Sequence, residues 1–415
     1  MGDELTEMRA VVTRLFAAGL AAADPDRAVR LALARTPPAP PGPGGRRVIL
    51  GIGKAALAMA RAALDVLGPA EALVVTNAGN AGALPGARVM TAGHPVPDAA
   101  GARAAEAVLA LMAGLRAGDR VLALISGGGS AMLPAPVAGV SLADKIAVNR
   151  LLLASGADIA EMNLVRQQLS RLKGGGLLRA AAPAPVTALI LSDVVGDDLR
   201  IIASGPTVAP IGSRATARAV TELRGLADSL PAAVRAHLAA PEAALLPLPR
   251  ATNTLIGSNA LSVAAMVAAG ARAHPRPLTG DVEEAVHEVH AAASGAAPGQ
   301  ALVFGGETTV ILRGQGRGGR NQELALRFAR LAQERRLPGP WVFLAAGTDG
   351  RDGPTDAAGG LVDSTTMAAL ERAGVDVDAL LADNDSNAAL AACGGLFDTG
   401  ATGTNVADLA VFLRG

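Results

Sequence analysis

The pattern that most limits the fold of this chain is an alternation running through its first half. A short apolar run breaks into a turn rich in glycine or acid, and an alanine-rich stretch with helical spacing follows. Arg47-Val48-Ile49-Leu50 runs into Gly51-Ile52-Gly53-Lys54, and Glu71 to Thr76 ends in Asn77-Ala78-Gly79. Arg120 to Ser126 ends in Gly127-Gly128-Gly129-Ser130, and Val186 to Ser192 ends at Asp193. A further strand is expected at Arg88 to Thr91. Repeated strand–loop–helix units predict an α/β fold with a parallel, doubly wound sheet, and such sheets hold ligands at the carboxyl ends of their strands. Each of these turns lies at such an end.

The chain has 415 residues, more than one compact core holds. The proline-rich stretch Pro241 to Pro249 marks the expected boundary. It separates a Rossmann-like domain, residues 1–240, from a second α/β domain, residues 241–415. The second is expected to open with a strand at Thr252 to Ile256. It continues with a strand-turn-strand around Val303 to Val310 and a strand at Trp341 to Ala346. With aromatics at 2% and no tyrosine, the cores are expected to be built from Ala, Val, Leu and Ile.

Charge and cysteine content exclude several classes. Lys+Arg and Asp+Glu are both 37, so nothing electrostatic favours nucleic acid or an anionic membrane as partner. The single cysteine, Cys393, rules out an intramolecular disulfide and a cysteine-rich zinc site. His287 and His290 are read as a solvated helix face. The first twenty residues read as an amphipathic helix and no apolar run approaches ~18 residues. A cytoplasmic location is the expectation, with no membrane partner.

Five loops carry the chemistry. Gly51-Ile52-Gly53-Lys54-Ala55-Ala56 fits a phosphate-binding turn between strand and helix. A dinucleotide site also wants an acid at the end of the second strand, where this chain has Thr76-Asn77. Only three lysines occur, Lys54, Lys145 and Lys173, so a lysine in a glycine loop points to a compact ammonium needed there. Ser126-Gly127-Gly128-Gly129-Ser130 leaves its backbone free to form an anion-holding nest. Asp193 ends a strand, the position of an acid acting on a ligand. Asp198 is read as a cap, while Asp197 stays open between capping and metal. Gly316 to Glu323 puts Arg317 and Arg320 among glycines at a helix start, and Gly347 to Asp356 carries Asp349, Asp352 and Asp356. Together these supply cations for phosphate and carboxylates for Mg²⁺, the parts of phosphoryl transfer.

With these residues in place, the chain resembles the glycerate 2-kinases whose C-terminal half is the MOFRL domain. The resemblance spans nearly the whole chain. It rests on GIGKAALAM from Gly51, GHPVPD from Gly93, LISGGGSAML from Leu124, LSRLKGGGLL from Leu169 and LSDVVGDDLRIIASGPT from Leu191. In the second half it rests on GRGGRNQELAL from Gly316, GTDGRDGPTDAAGG from Gly347 and TGTNVADL from Thr402. It implies ATP-dependent phosphorylation of D-glycerate to 2-phosphoglycerate with Mg²⁺, in a cleft between the domains, by a monomer or homodimer. Lys54, Asp193 and Arg320 are the implied catalytic residues. Gly51, Gly53, Ser126, Gly127, Gly128, Gly129, Ser130, Asp197, Asp349 and Asp352 are the expected substrate and nucleotide contacts, with no metal ligand set fixed.

The chain departs from the family pattern at Gln167-Gln168, Pro210, Asn387 to Ala389 and Ala401, and these departures spare Lys54, Asp193 and Arg320. Two other readings stand beside the kinase. One is a nicotinamide-dependent hydroxypyruvate reductase, which the missing ribose carboxylate opposes. The other is a non-catalytic binder of a phosphorylated metabolite, which would not need Asp193, Arg320 and the Asp349 loop together.

Overall fold

A computed structural model describes residues 2–242 and 247–415. The chain divides into two compact units, 25–256 and a second made of 1–24 with 257–415. Part of the proline-rich stretch, residues 243–246, lies outside the described residues.

The first unit is built on six strands: β1 (Arg47–Ile52), β2 (Glu71–Thr76), β3 (Ala87–Thr91), β4 (Arg120–Ile125), β5 (Val186–Leu191) and β6 (Ala251–Gly257). They line up in the order β3-β2-β1-β4-β5-β6. The pairs β1–β2, β1–β4, β2–β3 and β4–β5 are all parallel. Val48, Leu50, Val121, Ala123 and Ile190 are buried on one side of this sheet with the helix Ala99–Ala113, so its strands read as unbroken apolar runs. The strand order reverses between β1 and β4, and the crevice at their carboxyl ends is where such folds take ligands. The loops after β1 and β4 are the two glycine turns singled out in the sequence.

Against expectation, the strand at Thr252 to Ile256 does not open the second domain. It is β6, the edge of the first sheet. Contacts therefore draw the boundary at Ile256/Gly257. The amphipathic helix Gly2–Ala22 belongs to the second unit. Its buried stripe, Leu5, Met8, Val12, Leu15 and Phe16, packs on Val342, Leu344 and Val411. A sequence has no local signal for a helix that crosses the rest of the chain to find its core.

The second unit carries β7 (Arg272–Ala273), β8 (Leu278–Asp281), β9 (Ala301–Thr309), β10 (Trp341–Gly347), β11 (Gly359–Asp363), β12 (Leu396–Phe397) and β13 (Asp408–Arg414). Their order is β12-β11-β10-β13-β9-β7, with β8 also on β9. The sheet is mixed: β9, β13, β10, β11 and β12 run antiparallel to their neighbours, and β7 and β8 run parallel to β9. The expected turn at Gly305-Gly306 is absent, since β9 passes through it as one strand. A side chain at Gly305 would meet Asn259 Oδ1 at 2.0 Å, so packing explains the glycine. The scarce aromatics are concentrated here. All six phenylalanines and Trp341 lie in this unit, and Phe328 packs on Trp341, Phe343 and Phe412. The aliphatic expectation thus describes the first unit. His290 is buried beside Phe328, not on a solvated face as expected; His287 is exposed. Among the described residues no helix is long and apolar enough to cross a membrane.

Candidate active site

The first unit brings Lys54, the Gly127–Ser130 turn, His94 and Asp193 together. The turns after β1 and β4 are stitched by short bonds. Ser126 N–H donates to Ile52 O at 2.8 Å, and Lys54 N–H donates to Gly127 O at 2.9 Å. The Ser126 hydroxyl accepts from Ala55 N–H at 3.0 Å. Ser126 is buried, so its side chain fixes the first turn rather than facing a ligand. Gly53 has φ +114°, and a Cβ there would lie 2.4 Å from Ser126 O, so only glycine fits this crossing. Gly51 is buried within β1 against the first turn of the helix Ala56–Leu67.

Asp193 lies against Gly127: a Cβ at that glycine would sit 2.0 Å from Asp193 Oδ2. Burial pushes the Asp193 carboxyl above its ordinary range, while its own N–H and the charge of Lys54 pull the other way and only partly offset it. His94 faces Gly128, whose φ is +84°. Desolvation and the Lys54 charge both lower its pKa. Asp98, at the end of the same turn, caps the helix Ala99–Ala113 by accepting from Gly101 N–H at 2.7 Å. Asp198, read as a cap, does not cap a helix: its carboxylate accepts from the Arg200 N–H and guanidinium in a local turn. Asp197 has φ +56°, and its Oδ1 is buried without a hydrogen-bond partner.

Three cations that the motif reading passed over line a cavity of about 230 Å³ next to this cluster, together with His94, Gly128 and Ser130. Lys145 and Lys173 are buried, Arg166 is half-buried, and none forms an ion pair among the described residues. Lys145 Nζ donates to Pro134 O at 2.6 Å and Leu169 O at 2.9 Å. Lys173 Nζ donates to Ser130 O and Leu133 O. Arg166 Nε and Nη2 both donate to Asn149 Oδ1. Desolvation and the charge of Arg166 push Lys145 down to about 7, and Lys173 is also well below the usual lysine range. The scarcity of lysine was the one hint at Lys145 and Lys173, and it did not place them; Arg166 had no such signal. The Ser130 hydroxyl bonds Ser204 Oγ at 2.8 Å, which in turn donates to Asn163 Oδ1 at 2.6 Å.

In the second unit, Arg320 opens the helix Arg320–Glu334. Its guanidinium forks onto buried Asp408, with Nε at 2.5 Å and Nη2 at 3.0 Å, and Nη1 reaches Glu307 at 2.9 Å. Glu323, one turn on, pairs instead with Arg327 at 2.8 Å. The Gly314–Gly319 loop is pinned rather than mobile. Arg313 and Gly314 N–H donate to Asn384 Oδ1, and Gln315 N–H to Asp383 Oδ1. Side chains at Gly316, Gly318 and Gly319 would meet Asp385, Ser386 and Asp352 within 2.4 Å. Asp352 is buried and accepts from Asn321 N–H, Gln322 N–H and both side-chain amides, so it caps this helix; desolvation pushes it up to about 6. Asp349 accepts from Arg351 N–H at 3.1 Å in a local turn.

Two family models match the chain: Domain of unknown function (DUF4147) over residues 11–239, and MOFRL family over residues 300–408. The chain is 38% identical to a glycerate 2-kinase of Pyrococcus horikoshii over 98% of its length and 97% of that protein. It is 41% identical to an Agrobacterium vitis protein, over 98% of this chain and 94% of that one, whose name gives hydroxypyruvate reductase only provisionally. The crystal structure of a glycerate kinase from Thermotoga maritima superposes with a TM-score of 0.87 at 36% identity, covering 99% of this chain and 100% of that one.

Proposed function

We infer the reaction from a plain premise: this chain belongs to the glycerate 2-kinase family with a C-terminal MOFRL domain. It transfers the terminal phosphoryl group of ATP to the 2-hydroxyl of D-glycerate, releasing ADP and 2-phosphoglycerate. The observation that carries this reading is the carboxylate of Asp193 held against the Gly127 backbone, with Lys54 in electrostatic reach. Asp193 takes the proton of the 2-hydroxyl as that oxygen bonds to the γ-phosphorus. The bond to the β–γ bridging oxygen breaks, and ADP carries away its electron pair. A carboxyl held above its ordinary range by burial is the stronger base for that proton. Lys54 neutralises anionic oxygens at the turn after β1. Arg320, oriented by its fork on Asp408, stabilises charge on the transferring group.

Among the described residues no three His, Cys, Asp or Glu side chains cluster as a metal site. Mg²⁺ carried by a nucleotide asks for less, one or two carboxylates with phosphates and waters. Asp197, with its unpartnered buried Oδ1, fits that requirement and would hold it. Bound there, Mg²⁺ would neutralise phosphate charge.

The strand order β3-β2-β1-β4-β5-β6 is also that of dinucleotide-binding sheets, and with the provisional name of the Agrobacterium vitis relative it favours the reductase. Against it, β2 ends at Thr76 with its hydroxyl on Lys54 O, and no carboxylate follows. Supplying D-glycerate with MgATP, and separately hydroxypyruvate with NADH, decides between them. ADP release in the first and no NADH oxidation in the second is the expected result; the opposite pattern overturns the kinase.

A further inference from the structure

Taking two or three charges out of water without opposite charge nearby is costly, and proteins remove that cost by pairing them. Lys145, Arg166 and Lys173 are left unpaired among the described residues; the charge of Arg166 disfavours the charged form of both lysines, and that of Lys145 disfavours the charged form of Lys173. Yet their hydrogen bonds are not exhausted. An ammonium has three donors, and Lys145 and Lys173 each give two to backbone carbonyls. Those carbonyls fix the ammonium heads and leave one N–H apiece. Arg166 commits Nε and Nη2 to Asn149 and keeps Nη1. All three side chains line the same cavity. The arrangement is a preformed anion site.

Size and position narrow the anion. At about 230 Å³ the cavity is smaller than the ~300–1,000 Å³ pockets that enclose drug-sized ligands, so it matches a small anion better than a whole nucleotide. It takes a molecule of a few heavy atoms. Its wall includes Gly128, and the next glycine back, Gly127, is in contact with Asp193. An anionic group in the cavity therefore lies a short distance from the base.

We propose that this cavity is the carboxylate subsite for the acceptor, in which Lys145, Arg166 and Lys173 hold a small 2-hydroxy acid by its carboxylate. This rests on the phosphoryl-transfer reading above and explains its regiochemistry. The 2-hydroxyl is on the carbon bonded to the carboxylate, so anchoring the carboxylate presents that hydroxyl to Asp193 and leaves the 3-hydroxyl one bond farther out. The cations thus choose the position of transfer as well as the substrate.

Calorimetry without nucleotide, beside steady-state kinetics, tests the subsite. D-glycerate and glycolate are expected to bind the full-length protein, and glycerol, which lacks the carboxylate, is not. Arg166→Met is expected to weaken D-glycerate binding and raise its KM by about 10- to 100-fold, the usual worth of a charged hydrogen bond. The KM for ATP is expected to stay unchanged. Asn149→Asp, nearly isosteric, puts a carboxylate on Arg166 and is expected to do the same without opening a cavity. If both variants leave glycerate affinity untouched while the wild type still releases ADP, the subsite is wrong and the kinase reading stands. If both variants raise the KM for ATP instead, the cations hold nucleotide phosphates and the subsite is wrong. If the wild type binds D-glycerate through these residues but releases no ADP, the subsite stands and the kinase reading falls. Binding of glycerol as tight as glycerate overturns the subsite outright.

Discussion

Asp193 feels opposing influences: burial disfavours its charge, and Lys54 favours it. Burial wins, so its folded pKa lies above the ordinary carboxyl value. Such a group stabilises the fold below the unfolded pKa and loses that contribution as pH rises through the folded one. Holding the charged form of this carboxyl in its buried place is therefore a cost to the fold. Asp193→Asn is expected to lower kcat by roughly 10²–10⁴-fold, the share of general base catalysis, while the melting temperature at pH 7 holds or rises. Near-normal turnover, or a fall in melting temperature, would mark Asp193 as a turn residue. Lys54→Ala is expected to lower kcat/KM with little change in melting temperature, measured on the same instruments. Asp193 and Lys54 were legible because each stands in the turn that ends an apolar run. Lys145, Arg166 and Lys173 were not, because they come from separate helices and a turn that only tertiary packing assembles. Val148, Leu152, Met162, Val165 and Leu169 form the apolar cluster that sets those helices.

The loops were read correctly as places and less well as materials. The turns after β1 and β4 do face the switch point, but Ser126 spends its hydroxyl on holding them together. Gly127 is the sharpest case. Gly127→Ala would push a methyl into the Asp193 carboxylate. It is expected to cost turnover nearly as much as removing the base, with secondary structure by circular dichroism intact; unaltered kcat would show that Asp193 is not held where the chemistry needs it. The loop before Arg320 reads from its glycines as flexible, and it is instead close-packed against residues 383–387. Glycine spacing alone does not distinguish freedom from close approach. Arg320 itself is half of a pair with buried Asp408. Arg320→Lys loses the planar fork, so both kcat and the melting temperature are expected to fall. The stability loss stays below the ~3–5 kcal/mol seen when a fully buried pair is broken, since Arg320 remains about one-third exposed.

At the scale of the molecule, the order of elements was largely readable, and the membership of two of them was not. The helix Gly2–Ala22 and β6 each join the unit that the chain order would not assign them to. The buried cations leave a signature in whole-protein stability. A lysine whose folded pKa is depressed contributes stability that is present above its unfolded value of 10.5 and is lost as pH falls through the folded value. For Lys145, with Lys173, Arg166 and His94 facing the same cavity, that window runs from about 10.5 down through about 7. Thermal melts without ligand are expected to fall across it, and saturating D-glycerate is expected to raise the melting temperature more at pH 6 than at pH 9; equal shifts at both would contradict the account. The claim on which everything else depends is transfer to the 2-hydroxyl. Phosphorus NMR of the product formed from D-glycerate and MgATP reads it directly: the account requires the resonance of 2-phosphoglycerate, and 3-phosphoglycerate as the sole product would contradict it.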